Sequence, residues 1–307
     1  MIGCFRSKAG PASTRGRHVC LLSVFLLGAL LAACDRVPED GPVAFLAQAE
    51  GRWQVWWMPR SDAAPAQLTH LEQDVARLSW FPGGREVLAN LQDGRLVRVD
   101  VRTGAVRPVS FPFADILDAV IGPDGHRVAF SMSIADSNDR NDIWIYDLDS
   151  GERRKLTSMP GLQHEPVWSQ DGATIHFLSG KTRQAHDIWR VDVATGSTQQ
   201  LTVNALYHFD LAVRGDGTVA YSGNQGGHYD LWLLSSKGKT ERLMDDAALD
   251  ARPSWSPDGR SLIFESTRGG TVPDLWRWDE DSGQIERVTQ IASGARMPVW
   301  AAAGDRR

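Results

Sequence analysis

The chain has 307 residues, with 33 basic against 38 acidic side chains and a net charge of −5. Setting aside the N-terminal 33 residues, which hold 4 basic and no acidic ones, leaves 29 against 38, a body of net charge −9. That excess argues against nucleic acid or an anionic membrane surface as partner. The cysteines are Cys4, Cys20 and Cys34, so nothing beyond residue 34 can form a disulfide or a cysteine metal site.

Residues 1–33 read as a cleaved targeting segment. Arg6, Lys8, Arg15 and Arg17 form a basic region ahead of an apolar run, Val19 to Ala33, which is too short to span a bilayer comfortably. The run closes as Leu31-Ala32-Ala33-Cys34. This resembles the lipobox of bacterial lipoproteins, which implies cleavage before Cys34, lipidation of its sulfur and a membrane anchor facing the periplasm. Asp35 resembles an inner-membrane retention signal, and outer-membrane residence stays open. Residues 34–42 then form the lipidated cysteine and a short linker. The eight residues between Cys34 and Val43 reach at most roughly 28 Å when extended.

From residue 43 the chain repeats. Trp80-Phe-Pro-Gly-Gly84, Ile121-Gly-Pro-Asp-Gly125, Trp168-Ser-Gln-Asp-Gly172, Val213-Arg-Gly-Asp-Gly217, Trp255-Ser-Pro-Asp-Gly259 and Trp300-Ala-Ala-Ala-Gly304 follow one another at 41 to 47 residues. After each turn comes a short apolar strand, such as Val128-Ala-Phe-Ser131 or Leu262-Ile-Phe-Glu265. A polar loop leads to Asp142-Ile-Trp144, Asp187-Ile-Trp189, Asp230-Leu-Trp232 or Asp274-Leu-Trp276. A Thr-Gly or Ser-Gly turn and a Leu-Thr strand close the period. Short β-branched and aromatic runs bounded by Gly, Asp and Ser turns predict strands, and four strands per period of about 44 residues predict a propeller blade. Nine of the twelve tryptophans occupy repeat positions; Trp53, Trp57 and Trp278 do not.

The expected fold is all-β: a six-bladed β-propeller of four-stranded antiparallel blades. Complete blades are expected at about 71–112, 113–161, 162–205, 206–248 and 249–293. Residues 43–70 lack a first strand and Met297-Pro-Val-Trp300 supplies one, so the ring is expected to close with N- and C-terminal strands in one blade. The propeller then occupies 43–301, with a tail at 302–307.

The pattern Pro-x-Trp-Ser-Pro-Asp-Gly, nearest to form at Pro253 to Gly259, followed by Asp-Ile/Leu-Trp, Thr-Gly and Leu-Thr, resembles the repeat of TolB-type propellers over residues 43–301. The resemblance implies that fold. TolB proteins carry a further N-terminal α/β domain, so the resemblance does not by itself carry a Tol–Pal role to this chain.

Strand direction places the Asp-Gly and Thr-Gly turns on one face and the variable loops on the other, where binding residues on rigid scaffolds collect. The tight-turn face is expected to look at the membrane. Three residues before the repeat's Trp position stand Arg77, Asp118, Glu165, Asp210, Arg252 and Met297. This ring at the channel mouth could seat a cation or polar ligand, or be a solvated, self-neutralising rim. His164, His186, His208 and His228 fall on the same face. The set His164, Glu165, His208 and Asp210 is the weak candidate for a divalent metal, but it lacks tight ligand spacing, and no metal site is read from it. Trp53, Tyr207 and Tyr229 could anchor a protein partner or stack on sugars, or simply pack in the core. The repeated Asp142, Asp187, Asp230 and Asp274 read as turn-fixing hydrogen bonders.

No nucleophile elbow, phosphate loop or dinucleotide fingerprint occurs, so no catalytic residue and no cofactor is implied. The reading is a monomeric, non-catalytic, membrane-anchored propeller that binds an envelope protein. The alternative is an oligosaccharide-binding or metal-assisted lyase or hydrolase activity at the channel.

Overall fold

The computed structural model describes residues 40–133, 141–182, 185–203, 207–225 and 228–302. Cys34 and Asp35 lie outside them. The described residues contain 24 strands and no helix. Each repeat runs from an inner strand through a second and third to a short outer one, as in Asp250–Trp255, Ser261–Ser266, Asp274–Asp279 and Ile285–Arg287. The all-β propeller reading stands.

The count of six separate four-stranded blades does not. Four sheets stand alone with four strands each, and the strands from Val120–Ile121 to Thr198–Gln200 form a single eight-stranded sheet. Two antiparallel units join in it where Asn141–Asp147 meets Leu162–Trp168 in parallel, Asn141 opposite Leu162. A sequence period counts repeats. It carries no signal for a hydrogen-bonded contact between neighbouring repeats, so this merger was invisible in it. The expected ring closure narrows to an observed pairing: Ala295–Trp300 runs antiparallel to Val43–Ala49, with Val43 opposite Trp300 and Ala47 opposite Ala295.

Apolar residues on both faces of the strands fill the space between neighbouring units. Val120, Ala129 and Ile143 pack with Ile175, Phe177 and Val191 in one such layer. Ala220 and Leu231 pack with Leu262, Phe264 and Trp278 in another. Phe45, Phe130, Phe177 and Phe264 are fully buried.

Repeated polar residues join these layers. The Trp80 indole donates to the Val299 carbonyl at 2.8 Å, Trp168 to Val120 at 3.2 Å and Trp255 to Ala212 at 3.3 Å. Each of these bonds crosses to the inner strand of the preceding repeat. The repeated aspartates act between strands rather than in turns, which corrects their expected role. Thr157 Oγ1 accepts from Ile143 N at 2.9 Å and donates to Asp142 Oδ1 at 3.2 Å; Thr289 does the same for Leu275 and Asp274. The turns are fixed by other acids: Asp100, Asp147, Asp192 and Asp279 each accept from the Thr or Ser three residues on.

The segment before the first strand is tied down. Asp40 accepts from Ser61 N and from the Trp300 indole, and Pro42 O accepts from Ala301 N. Residues 40–42, the end of the expected short linker, are bound at the tight-turn end.

Candidate functional site

A channel of about 580 Å³ runs between the inner strands, with Arg77, Glu165, Asp210, Arg252 and Met297 at its loop-face end and Pro82 and Pro123 towards the other. Its charged mouth is made by a bulge that recurs along the inner strands. Pairing slips between His164 and Val167, between Phe209 and Ala212, and between Ala251 and Ser254. A bulge turns one side chain out of the alternating pattern. In these three the re-aimed residue lies in the left-handed region, Glu165 at φ 53°, Asp210 at 54° and Arg252 at 54°, and Met297, where the last strand's pairing with the first slips, lies there too at 49°. Such geometry costs of the order of 1 kcal/mol or more per non-glycine residue.

The strain is offset by hydrogen bonds to the bulge amides. Asp118 Oδ2 accepts from Glu165 N at 3.1 Å, and Glu165 Oε2 accepts from Asp210 N at 3.0 Å. Ser222 Oγ accepts from Arg252 N at 3.1 Å and sits 3.3 Å from Asp210 Oδ2. Glu265 Oε2 accepts from Met297 N at 3.2 Å while its other oxygen binds the Arg252 guanidinium. Arg77 Nη2 donates to Pro166 O at 3.3 Å. The ring acids are thus neither a freely solvated rim nor an open cation seat. They form a hydrogen-bonded circuit that keeps its charged edge on the channel.

The circuit separates two carboxyls chemically. Burial, with the Glu165 carboxylate beside it, pushes Asp210 up to about 6, although Arg252 lies 3.6 Å away. Burial acts on Glu165 in the same direction, but His164 and Arg77 outweigh it and draw Glu165 down to about 2. One proton therefore resides preferentially on Asp210 in mildly acidic conditions.

Two further expected residues border this circuit, Asp118 through Glu165 N and His164 with Nδ1 3.6 Å from Glu165 Oε1; the remaining ones do not converge here. Asp118 holds backbone amides, those of Ser131 and Glu165. His164 and His186 stack edge to face with ring centres 4.5 Å apart. His208 bonds the His186 carbonyl through Nδ1 at 2.9 Å and packs on Tyr221. Burial lowers the pKa of both His186 and His208. Tyr229 approaches Phe209 at 6.0 Å. Among the described residues no group of three or more His, Cys, Asp or Glu is placed to hold a metal. His228 is exposed at the start of its strand. Trp53 lies under Arg296, 4.7 Å from its ring centre, and gives its backbone N–H to Asp74. The Tyr207 side chain lies outside the described residues.

Sequence reasoning missed Ser222 and Glu265. Their signal was a polar residue at the fourth position of an otherwise apolar second strand, as in Val219-Ala-Tyr-Ser222 and Leu262-Ile-Phe-Glu265. It also missed a set of exposed apolar residues. Leu117, Val203, Leu249 and Val272 are exposed at 39 to 71%, and all four lie in inter-repeat connections or second-to-third-strand loops on the mouth's face.

The geometry defines a β-propeller with a charged channel mouth on its variable-loop face. More particularly, the fold is a TolB-like propeller. A family model described as the TolB beta propeller domain matches residues 212–306. The uncharacterized protein Atu1656 of Agrobacterium fabrum is 28% identical over 233 residues, covering 74% of this chain and 62% of that protein. The Tol-Pal system protein TolB of Nitratidesulfovibrio vulgaris is 28% identical over 137 residues, 44% of this chain and 30% of that one. The structure of TolB from Acinetobacter baumannii aligns with a TM-score of 0.72 at 21% identity, covering 85% of this chain and 67% of that chain. The chain therefore spans less than two thirds of the length of these curated relatives.

Proposed function

We propose that this chain is an envelope-associated, protein-binding propeller whose partner docks on the variable-loop face, over the channel mouth. The carrying observation is the coincidence on one face of two features: the hydrogen-bonded edge of Arg77, Glu165, Asp210 and Arg252, and the exposed Leu117, Val203, Leu249 and Val272. Arginine is enriched among the residues that carry binding energy at interfaces, and exposed apolar side chains on the same face offer area for a partner to bury. The relatives named for TolB and the Tol-Pal system support the envelope setting. The docking residues include those expected at the mouth, while Trp53, His186 and His208 serve packing.

The anchor belongs to the same proposal. Cys34 is the lipidated residue, residues 1–33 are removed, and the propeller of 43–301 faces the periplasm. Asp40 is bound at the tight-turn end, which supports a tether leaving from that face. Replacing Cys34 with Ser is expected to move the full-length protein from the membrane to the soluble fraction and abolish palmitate labelling. Unchanged membrane partition would contradict the anchor.

Docking is tested by charge and size changes on each face. Leu249→Glu with Arg252→Glu is expected to remove the partner co-purifying with the wild-type chain, whereas Lys239→Glu on the tight-turn face leaves it. Loss only with Lys239→Glu would overturn the reading.

A further inference from the structure

A second cleft, of about 200 Å³, lies between the strands around His176 and the turn Ser235-Ser-Lys-Gly238. Two departures from the repeat build it. The position of His176 in its strand is Ala44, Leu88, Ala129, Ala220 and Ile263 in the other repeats. The position of Ser235 is Asp100, Asp147, Asp192 and Asp279 in four of the others, where that acid caps its own turn, and Pro59 in the fifth. Here Ser235 Oγ accepts from Lys239 N instead. One change brings an imidazole into an apolar layer; the other removes a carboxylate and leaves Lys237 at the turn's tip.

The lining is one-signed. His176, Arg190 and Lys237 face the cleft, with Gln199, Ser235 and Ser236, and no acidic residue lines it. His176, Arg190 and Gln199 stand opposite one another across three strands. Arg190 places Nε and Nη2 on Gln199 Oε1, at 3.0 and 2.7 Å. Neither Arg190 nor Lys237 forms an ion pair among the described residues. Asp216, beside the lining Gly217, is held by Arg214 at 2.9 Å. His176 is only 4% exposed, and its Nδ1 has no hydrogen-bond partner. An orphaned buried ring nitrogen is costly unless something completes it.

We propose that this cleft binds a single phosphate-class oxyanion through Arg190, Lys237 and the His176 imidazole. The volume suits one tetrahedral anion with its water and lies below that of a drug-sized ligand site. A guanidinium and an ammonium supply charge-assisted donors, and serine hydroxyls add neutral ones. Burial and the nearby Arg190 hold His176 down to about 4, so it is neutral at pH 7. An anion between the two reverses the second effect, and His176 takes up a proton as the anion binds. The cleft opens at the tight-turn end, so the oxyanion could be free phosphate or a phospholipid headgroup.

The test follows the His176 ring resonances of the full-length chain through a pH titration, with assignment by His176→Ala. That variant restores the alanine present at this position in three other repeats. Inorganic phosphate, against chloride at equal ionic strength, is expected to raise the His176 pKa by about one unit or more, about a tenfold change in proton affinity. Arg190→Gln with Lys237→Gln is expected to remove that rise and to weaken phosphate binding by about tenfold or more. Vesicles of phosphatidylglycerol, compared with phosphatidylcholine, separate the sources. A rise with phosphate supports a free oxyanion site, and a rise only with phosphatidylglycerol supports a headgroup site. No rise with either, or an equal rise in the double variant, would overturn the proposal.

Discussion

Asp210 and Glu165 show how one circuit sets opposite protonation behaviour in adjacent acids. Asp210 has its folded pKa raised from 3.8 to about 6, so its contribution to stability is present below pH about 4 and is lost as pH rises through about 6. Glu165 is lowered from 4.5 to about 2, so its contribution is present above pH about 4.5 and is lost as pH falls towards 2. Asp210→Asn removes the first dependence alone. Its stability relative to wild type is expected to improve between pH 4 and pH 7 by of the order of 1 kcal/mol, read as a chemical-denaturation difference at the two pH values. A pH-independent difference would show that Asp210 titrates normally. The acids were legible in the sequence as one residue per repeat, at a fixed distance from the tryptophan. Their hydrogen-bonding duty was not, because it depends on a bulge that sends the peptide N–H of Glu165, Asp210 and Arg252 towards a neighbouring repeat.

Between strands, the polar signature residues act as ties. Thr157 satisfies the Ile143 amide deep in its sheet, so Thr157→Val leaves a buried donor unpaired and is expected to cost about 1–3 kcal/mol in unfolding free energy. Trp255→Phe keeps most of the packing but loses the bond to Ala212 O, and about 1 kcal/mol is expected from that loss. Phe177→Ala opens a cavity in the layer shared by two repeat units and should cost about 3–5 kcal/mol. Equal, small effects from all three would mean that these layers are not tightly packed. The Trp, Thr and Phe positions could be read from their recurrence every 44 or so residues. Other features broke the pattern only locally. Sequence periodicity registers what repeats, whereas the joining of two units at Asn141 and Leu162 and the His176 cleft arise from what does not.

Across the whole molecule, the repeats divide the surface into two faces of different character. The tight-turn face carries capped turns, the bound Asp40 and the cationic cleft at Arg190 and Lys237. The loop face carries the channel mouth and the exposed Leu117, Val203, Leu249 and Val272. The direction of each strand, readable from turn spacing, already assigned the faces. Which loop residues stand exposed was not readable, since Leu249 and Val272 look no different in sequence from the buried Leu262 and Val219. The proposed division of labour is a tether on one side and a protein partner on the other. The most direct measurement places a photo-crosslinking residue at Leu249 or, separately, at Lys239 of the full-length chain in its native envelope. A discrete protein adduct from position 249 that fades with Arg252→Glu and is absent from position 239 is the expected result. An adduct from position 239 alone would contradict docking over the channel mouth.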